Sequence, residues 1–179
     1  MIDRSQERFE AKHRSARARD ELAESESLAV LDKDTSLFIA RAEAEHIVST
    51  GVRVGAHLPA YCSATGRVLL SQFSDDEIVE RIGRKPLRSR TAHTITKISL
   101  LLAEIRAVRK RAYAISDEEL ELGMRALAVP VIGENDEIIA AISVSAASAR
   151  VRAADLRSHF LPILQSCSRT LSQQISNAN

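Results

Sequence analysis

A chain of 179 residues fits one domain, or one domain with an appendage, and its 45% hydrophobic content can build a sizeable core. The 25 Lys and Arg nearly cancel the 24 Asp and Glu, so no global field draws in DNA, RNA or an anionic membrane; 3% aromatics and no Trp argue against a base-stacking platform. Cys62 and Cys167 are far apart and outside any metal or redox motif, which reads as two reduced thiols. The start, MIDRSQERFEAKHR, lacks the apolar stretch of a signal peptide, and no apolar run reaches membrane-spanning length. A soluble, cytoplasmic protein is expected.

Residues 1–26 are charged and mixed in sign, with a helix expected over Arg17–Glu24. This stretch reads as a charged helical linker, and residues 27–179 as the globular domain. Two apolar runs follow, Ser27–Leu31 and Ser36–Ala40, separated by Asp32-Lys33-Asp34-Thr35, which is hairpin chemistry. A third strand is expected over His46–Thr50, then a loop over Gly51–Ala56. Ser63 is placed to cap a helix that starts on small residues, Ala64, Thr65 and Gly66.

Ser74 caps the next helix, with Glu77 three residues on and Gly83 at its end. Lys85–His93 is a basic, irregular connection. Thr96–Arg111 is the clearest helix, with Ile98, Leu101, Leu102, Ile105 and Val108 on one face. Its terminal cluster of Arg106, Arg109, Lys110 and Arg111 reads as compensation of the helix dipole rather than a nucleic-acid patch. Tyr113–Ile115 is a short strand, and the acid run Asp117–Glu121 reads as a solvated turn. Leu127–Ile132 and Ile138–Ser145 are the strongest strands, with a turn at Gly133–Asp136. Ala153, Leu156, Phe160, Leu164, Cys167 and Leu171 form a helical stripe that Pro162 should kink or split. Hairpins mixed with helices predict an α+β fold on an antiparallel sheet.

Two features suggest a ligand. First-turn N–H groups at Ala64, Thr65 and Gly66 lack partners inside a helix, and the dipole favours an anion beside them. Ser143 and Ser145 alternate onto one face of an apolar strand, where their hydroxyls need partners. Backbone or water contacts would satisfy them equally. The histidines are scattered without ligand spacing, so no metal and no cofactor is expected. No G-x-S-x-G motif occurs, and a Cys62–His57 pair has nothing special to recommend it.

Several blocks appear in a familiar order: LAVLD at Leu28, LPAYCSATGR over Leu58–Arg67, RTAHT over Arg90–Thr94, DEELELGMRALAVPV over Asp117–Val131, and AAISVS over Ala140–Ser145. Over about residues 20–175 the chain resembles the C-terminal effector-binding domain of the IclR family of bacterial transcription regulators. Its wording is closer still to the branch governing aromatic-acid breakdown by the β-ketoadipate route. The resemblance implies a GAF-like domain, a curved and mostly antiparallel sheet flanked by helices. It implies an effector that is a small organic acid of the protocatechuate, 4-hydroxybenzoate or β-ketoadipate class, and no catalytic residues. Backbone amides at Ala64 and Thr65 would hold a carboxylate. Ser116 stands where an acid can occur, Ala126 where a Cys can occur, with Met124 two residues earlier. Ser143 and Ser145 match directly, and cup positions fall on Ile47, Thr50 and Leu58, of which Thr50 is a polar departure. Strand parity turns Arg125 away from the ligand. Ser116 and Ala126 enlarge the cup, which suits a larger dicarboxylate or an aromatic ring. The family assembles as dimers or tetramers and touches DNA only through a winged helix, which residues 1–26 are not expected to form. A small cysteine-dependent enzyme and a ligand-free oligomerisation module remain as alternatives.

Overall fold

The computed structural model describes residues 24–42, 52–83 and 87–176. Its centre is a six-stranded antiparallel sheet, ordered β3-β2-β1-β6-β5-β4. β1 (Ser25–Asp32) and β2 (Thr35–Ala42) form the expected hairpin, with Lys33 in the left-handed region at φ 55° to close the turn. β3 (His57–Pro59) is a three-residue edge strand on β2 that the sequence pattern did not reveal. β4 (Ala114–Asp117), β5 (Met124–Ile132) and β6 (Ile138–Ala147) complete the sheet. The expected strand over 46–50 and the helix over 17–24, apart from Glu24, lie outside the described residues.

Two β-bulges break the pairing. Leu28 faces Ala40 and Ala29 faces Phe38, so Ile39 is the extra residue of β2. Val131 faces Ala140 and Ile132 faces Ile138, so Ile139 is the extra residue of β6. A bulge bends its strand and increases local twist, which curls the sheet.

Each sheet face meets its own helical layer. On one face Leu28, Leu127, Val129, Ile142 and Val144 pack with Leu156, Phe160, Leu164 and Leu171 from the C-terminal helices. Burying each of these apolar side chains stabilises the fold by about 1.5–3 kcal/mol. The helical stripe is divided as Pro162 requires: α4 (Ala153–Asp155), a π-helical turn over Leu156–Phe160, and a continuous helix over Leu161–Ser176, named α5 here. Pro162 falls in the first turn of that last segment, where its missing N–H costs least.

The opposite face carries α1 (Ala64–Leu70), whose Ala64, Val68 and Leu69 pack on Ala128 and Ala141. Gly66 is needed for this fit, because a Cβ there would stand 2.2 Å from the Cα of Ala60. Over α1 lie α2 (Asp75–Ile82) and α3 (Ile98–Arg111), sharing a cluster of Ala60, Leu70, Ile78, Leu101 and Ile105. The capping box forms as expected: Ser74 Oγ accepts from Glu77 N, and Glu77 Oε2 accepts from Ser74 N at 2.8 Å. α3 closes on Ala112 in the left-handed region at φ 58°. Its arginines do more than face a dipole. Arg106 pairs with Asp75, and Arg109 donates to the carbonyls of Ser71 at 2.7 Å and Phe73 at 2.6 Å, which ties α3 to the α1–α2 connection.

Candidate effector cavity

Alternation along β5 and β6 turns small residues toward α1. Ala126 pairs with Ser145 and Ala128 with Ser143 on this face, while Leu127 and Val144 face the other way. α1 covers only part of that small-residue surface. The remainder is a cavity of about 250 Å³. The N-terminal end of α1 contributes Ser63, Ala64 and Thr65 to its wall; Phe38 of β2 and Leu58 of β3 contribute a second, apolar side. Ser116 of β4 and Met124 and Ala126 of β5 form the third, beside Ser143 and Ser145 of β6. Eight residues named from the sequence are therefore brought together: Leu58, Ala64, Thr65, Ser116, Met124, Ala126, Ser143 and Ser145. Ile47 and Thr50 lie outside the described residues.

The hydroxyls divide into used and unused. Ser63 caps α1, accepting from Gly66 N at 3.2 Å, so that amide is taken and Gly66 serves packing rather than a ligand. Ala64 and Thr65, in the first turn of α1, lie at the cavity wall. Thr65 Oγ1 donates to Ser36 Oγ at 3.0 Å, and Ser36 also meets Ser63 Oγ at 3.4 Å. Ser116 Oγ donates to the Cys62 carbonyl at 2.9 Å, which fixes β4 to the start of α1. Ser143 and Ser145 make no side-chain hydrogen bond among the described residues, although Ser143 is buried. Both serines line the cavity, so their hydroxyls are open to a polar occupant or to water.

The acid run is not a solvated turn. Asp117 belongs to β4, and Glu119 is buried against Arg67 of α1 in a bidentate pair, Nη1 to Oε1 at 2.6 Å and Nη2 to Oε2 at 2.5 Å. Arg67 Nε also donates to the Tyr61 carbonyl at 2.9 Å, and the Glu119 carbonyl accepts from Thr94 Oγ1 at 2.7 Å. This network anchors the loop that places Leu120 and Glu121 at the cavity. The available signal was an arginine inside an otherwise small and apolar helix: a charge there must find a partner.

Parity puts Arg125 off the ligand face, yet it borders the cavity, with its guanidinium engaged by protein partners. Nε donates to Asp117 at 2.5 Å, and Nη1 donates to the carbonyls of Ser148 and Val151 at 3.1 and 2.9 Å. Arg90, from the loop before α3, also lines the cavity and was not among the residues named from the sequence.

The cysteine reading fails on geometry. Cys62 is fully buried with its thiol against the Pro59 carbonyl, and burial pushes that thiol up to about 11, with Arg90 and Arg67 pulling weakly the other way. The thiolate is the nucleophile, so this group is inert near neutrality. His57 is engaged elsewhere, its Nδ1 3.0 Å from Thr35 Oγ1 and 3.6 Å from Asp32. Among the described residues no three His, Cys, Asp or Glu side chains gather as a metal site needs, and no helix is long and apolar enough to cross a membrane.

A family model described as the C-terminal domain of the bacterial transcriptional regulator IclR matches residues 5–173. The chain belongs to the IclR family. Among its IclR-type relatives, the Pca regulon regulatory protein of Pseudomonas putida is 39% identical over 160 residues, covering 89% of this chain and 55% of that protein. The p-hydroxybenzoate hydroxylase transcriptional activator of Acinetobacter baylyi is 33% identical over 150 residues, 81% of this chain and 55% of that one. The chain thus spans about half the length of the curated relatives it matches. A crystal structure of a double mutant of the Acinetobacter PobR inducer-binding domain, in complex with 3-hydroxybenzoic acid, superimposes with a TM-score of 0.81. It is 33% identical, with 87% of this chain and 91% of that chain covered. The C-terminal domain of Escherichia coli KdgR gives 0.81 at 27% identity, covering 97% and 98%. The curled antiparallel sheet with flanking helices is therefore the α+β architecture of the IclR effector-binding domain.

Proposed function

We propose that this domain senses a small organic acid of the protocatechuate, 4-hydroxybenzoate or β-ketoadipate class, and that the regulator containing it controls aromatic-acid catabolism. The observation that carries this reading is the cavity, which joins an apolar wall, two unpartnered serine hydroxyls and the amide end of α1. Its volume of about 250 Å³ exceeds the roughly 150 Å³ that accommodates benzene in an apolar protein cavity, leaving room for a ring with polar substituents. In this reading the carboxylate meets the amides of Ala64 and Thr65, while Ser143 and Ser145 meet a phenolic hydroxyl or a keto group. Ser116 and Ala126 keep that side of the cup wide. The named relatives that regulate pca and p-hydroxybenzoate genes support the same ligand class.

The protein then acts as a non-enzymatic switch, cytoplasmic, working as a homodimer or tetramer, with residues 1–26 linking it to a separate winged-helix domain that touches DNA. The effector must bind one arrangement of that assembly more tightly than another, since equal affinity shifts nothing. The test is a thermal-shift and calorimetric panel of protocatechuate, 4-hydroxybenzoate, 3-hydroxybenzoate and β-ketoadipate. An effector at 100 times its Kd adds about 2.7 kcal/mol of stability. Silence across the whole panel would defeat the assignment.

A further inference from the structure

Two arginines line the cavity, and their surroundings differ. Arg125 is consumed by the Asp117 carboxylate and two backbone carbonyls. Arg90 is held only by its Nε, which donates to the Leu120 carbonyl at 3.1 Å, while its own backbone N–H is fixed by Thr94 Oγ1 at 3.1 Å. That arrangement pins the guanidinium at the rim and leaves its two terminal nitrogens without a partner among the described residues. The charge is felt at the start of α1, where Arg90 pulls against the burial that raises the Cys62 thiol. The remaining ionic group on the lining among the described residues is Glu121, exposed and of opposite sign.

We infer that Arg90 is the specificity-determining residue that makes this site prefer a carboxylate over a neutral ligand of the same shape. The inference rests on the acid-sensing reading above and adds a side-chain cation to it. Backbone amides and serine hydroxyls serve a carboxylate or a carboxamide with little distinction. A guanidinium with two free donors distinguishes them, because charge-assisted hydrogen bonds are about twice as strong as neutral ones. Without Arg90 the charges left on the described lining are Arg125, already paired with Asp117, and Glu121, which repels an acid.

The experiment is calorimetric titration of the wild-type chain, Arg90→Gln, Arg90→Lys and Glu121→Gln with two matched pairs: 4-hydroxybenzoate and 4-hydroxybenzamide, protocatechuate and its amide. Wild type is expected to prefer the acids. Arg90→Gln should weaken the acids about tenfold or more while moving the amides by less than about threefold, as loss of one charged hydrogen-bonding partner requires. Arg90→Lys should recover part of the preference, and Glu121→Gln should tighten the acids about twofold to fivefold by removing a nearby like charge. Higher salt should weaken acid binding to wild type more than to Arg90→Gln. Equal weakening of acids and amides in Arg90→Gln would mean that the arginine only holds Leu120 in place, and the inference would be overturned. An unchanged acid-to-amide ratio at unchanged affinity overturns it as well, leaving the cavity assignment intact. Failure of wild type to bind any of the acids removes both readings together.

Discussion

The two faces of the central sheet are made by the same strands and differ only in the size and polarity of alternate residues. Along β6, Ile142 and Val144 face α5, while Ala141, Ser143 and Ser145 face α1. Along β5, Leu127, Val129 and Val131 oppose Ala126 and Ala128. Large aliphatics on one face pack against the C-terminal helices; small residues on the other leave space that a short helix of seven residues does not fill. The bulky aliphatic packing of these strands therefore lies on one side and the candidate cavity on the other. A cavity of this kind is made by withholding side-chain volume, not by adding a special motif.

The contrast breaks most sharply at the point where the ligand face carries a buried charge. Glu119→Ala leaves Arg67, 1% exposed in its side chain, without its carboxylate and should destabilise the fold by about 3–5 kcal/mol in denaturant titration. Replacing both partners with apolar residues of similar size should cost much less. If single and double variants are equally unstable, the pair is not the keystone of that face. On the packed face, Ile142→Ala should cost about 2–5 kcal/mol while leaving the affinity of the folded fraction unchanged. A loss of effector affinity matching the loss of stability would show that the two faces are not separable.

A third expectation concerns pH. The Cys62 thiol is raised from 9.0 to about 11 by burial, so the unfolded chain releases this proton first as pH rises. The contribution is complete below pH 9 and is lost as pH climbs toward 11, a decline on the order of 2–3 kcal/mol. Cys62→Ala should flatten that limb of the pH–stability curve; an unaltered limb would assign it to other groups. The smallest effect belongs to the cavity wall. Ser143→Ala and Ser145→Ala should each weaken effector binding by about 1 kcal/mol, as loss of a neutral hydrogen bond does, with little change in the melting temperature of the free protein. A fall in melting temperature of the same size with and without effector would make these hydroxyls structural.

Much of this was legible in the sequence because it follows local rules. The β1–β2 turn, the Ser63 and Ser74 caps, the period of α3 and the shared face of Ser143 and Ser145 all depend on neighbours within a few positions. Met124 and Ala126 come from the family resemblance, and strand alternation adds only that the two share a face. What escaped depends on tertiary approach. Glu119 reads as one of several surface acids until Arg67, 52 positions earlier, is brought onto it. Gly66 reads as part of an anion-binding turn until Ala60 comes to lie where its Cβ would be. β3 has three residues and no period of its own, and Arg90 lies in an irregular connection where no pattern tells which way a side chain points.

The bulges have a consequence for comparing this domain with its relatives position by position. In β2, Ser36 and Phe38 look toward the cavity side, but beyond Ile39 the phase changes, and Arg41 meets Ser27 on that same side. The extra residue acts as a parity switch, and Ile139 does the same in β6, so that Ile39–Ala40 and Ile139–Ala140 each present two consecutive residues to the α5 core. An insertion or deletion at either point would exchange inside for outside along the rest of the strand. Homologous positions on opposite sides of a bulge must be aligned in separate frames, and ligand-facing residues transferred across it by simple counting would land on the wrong face of the sheet.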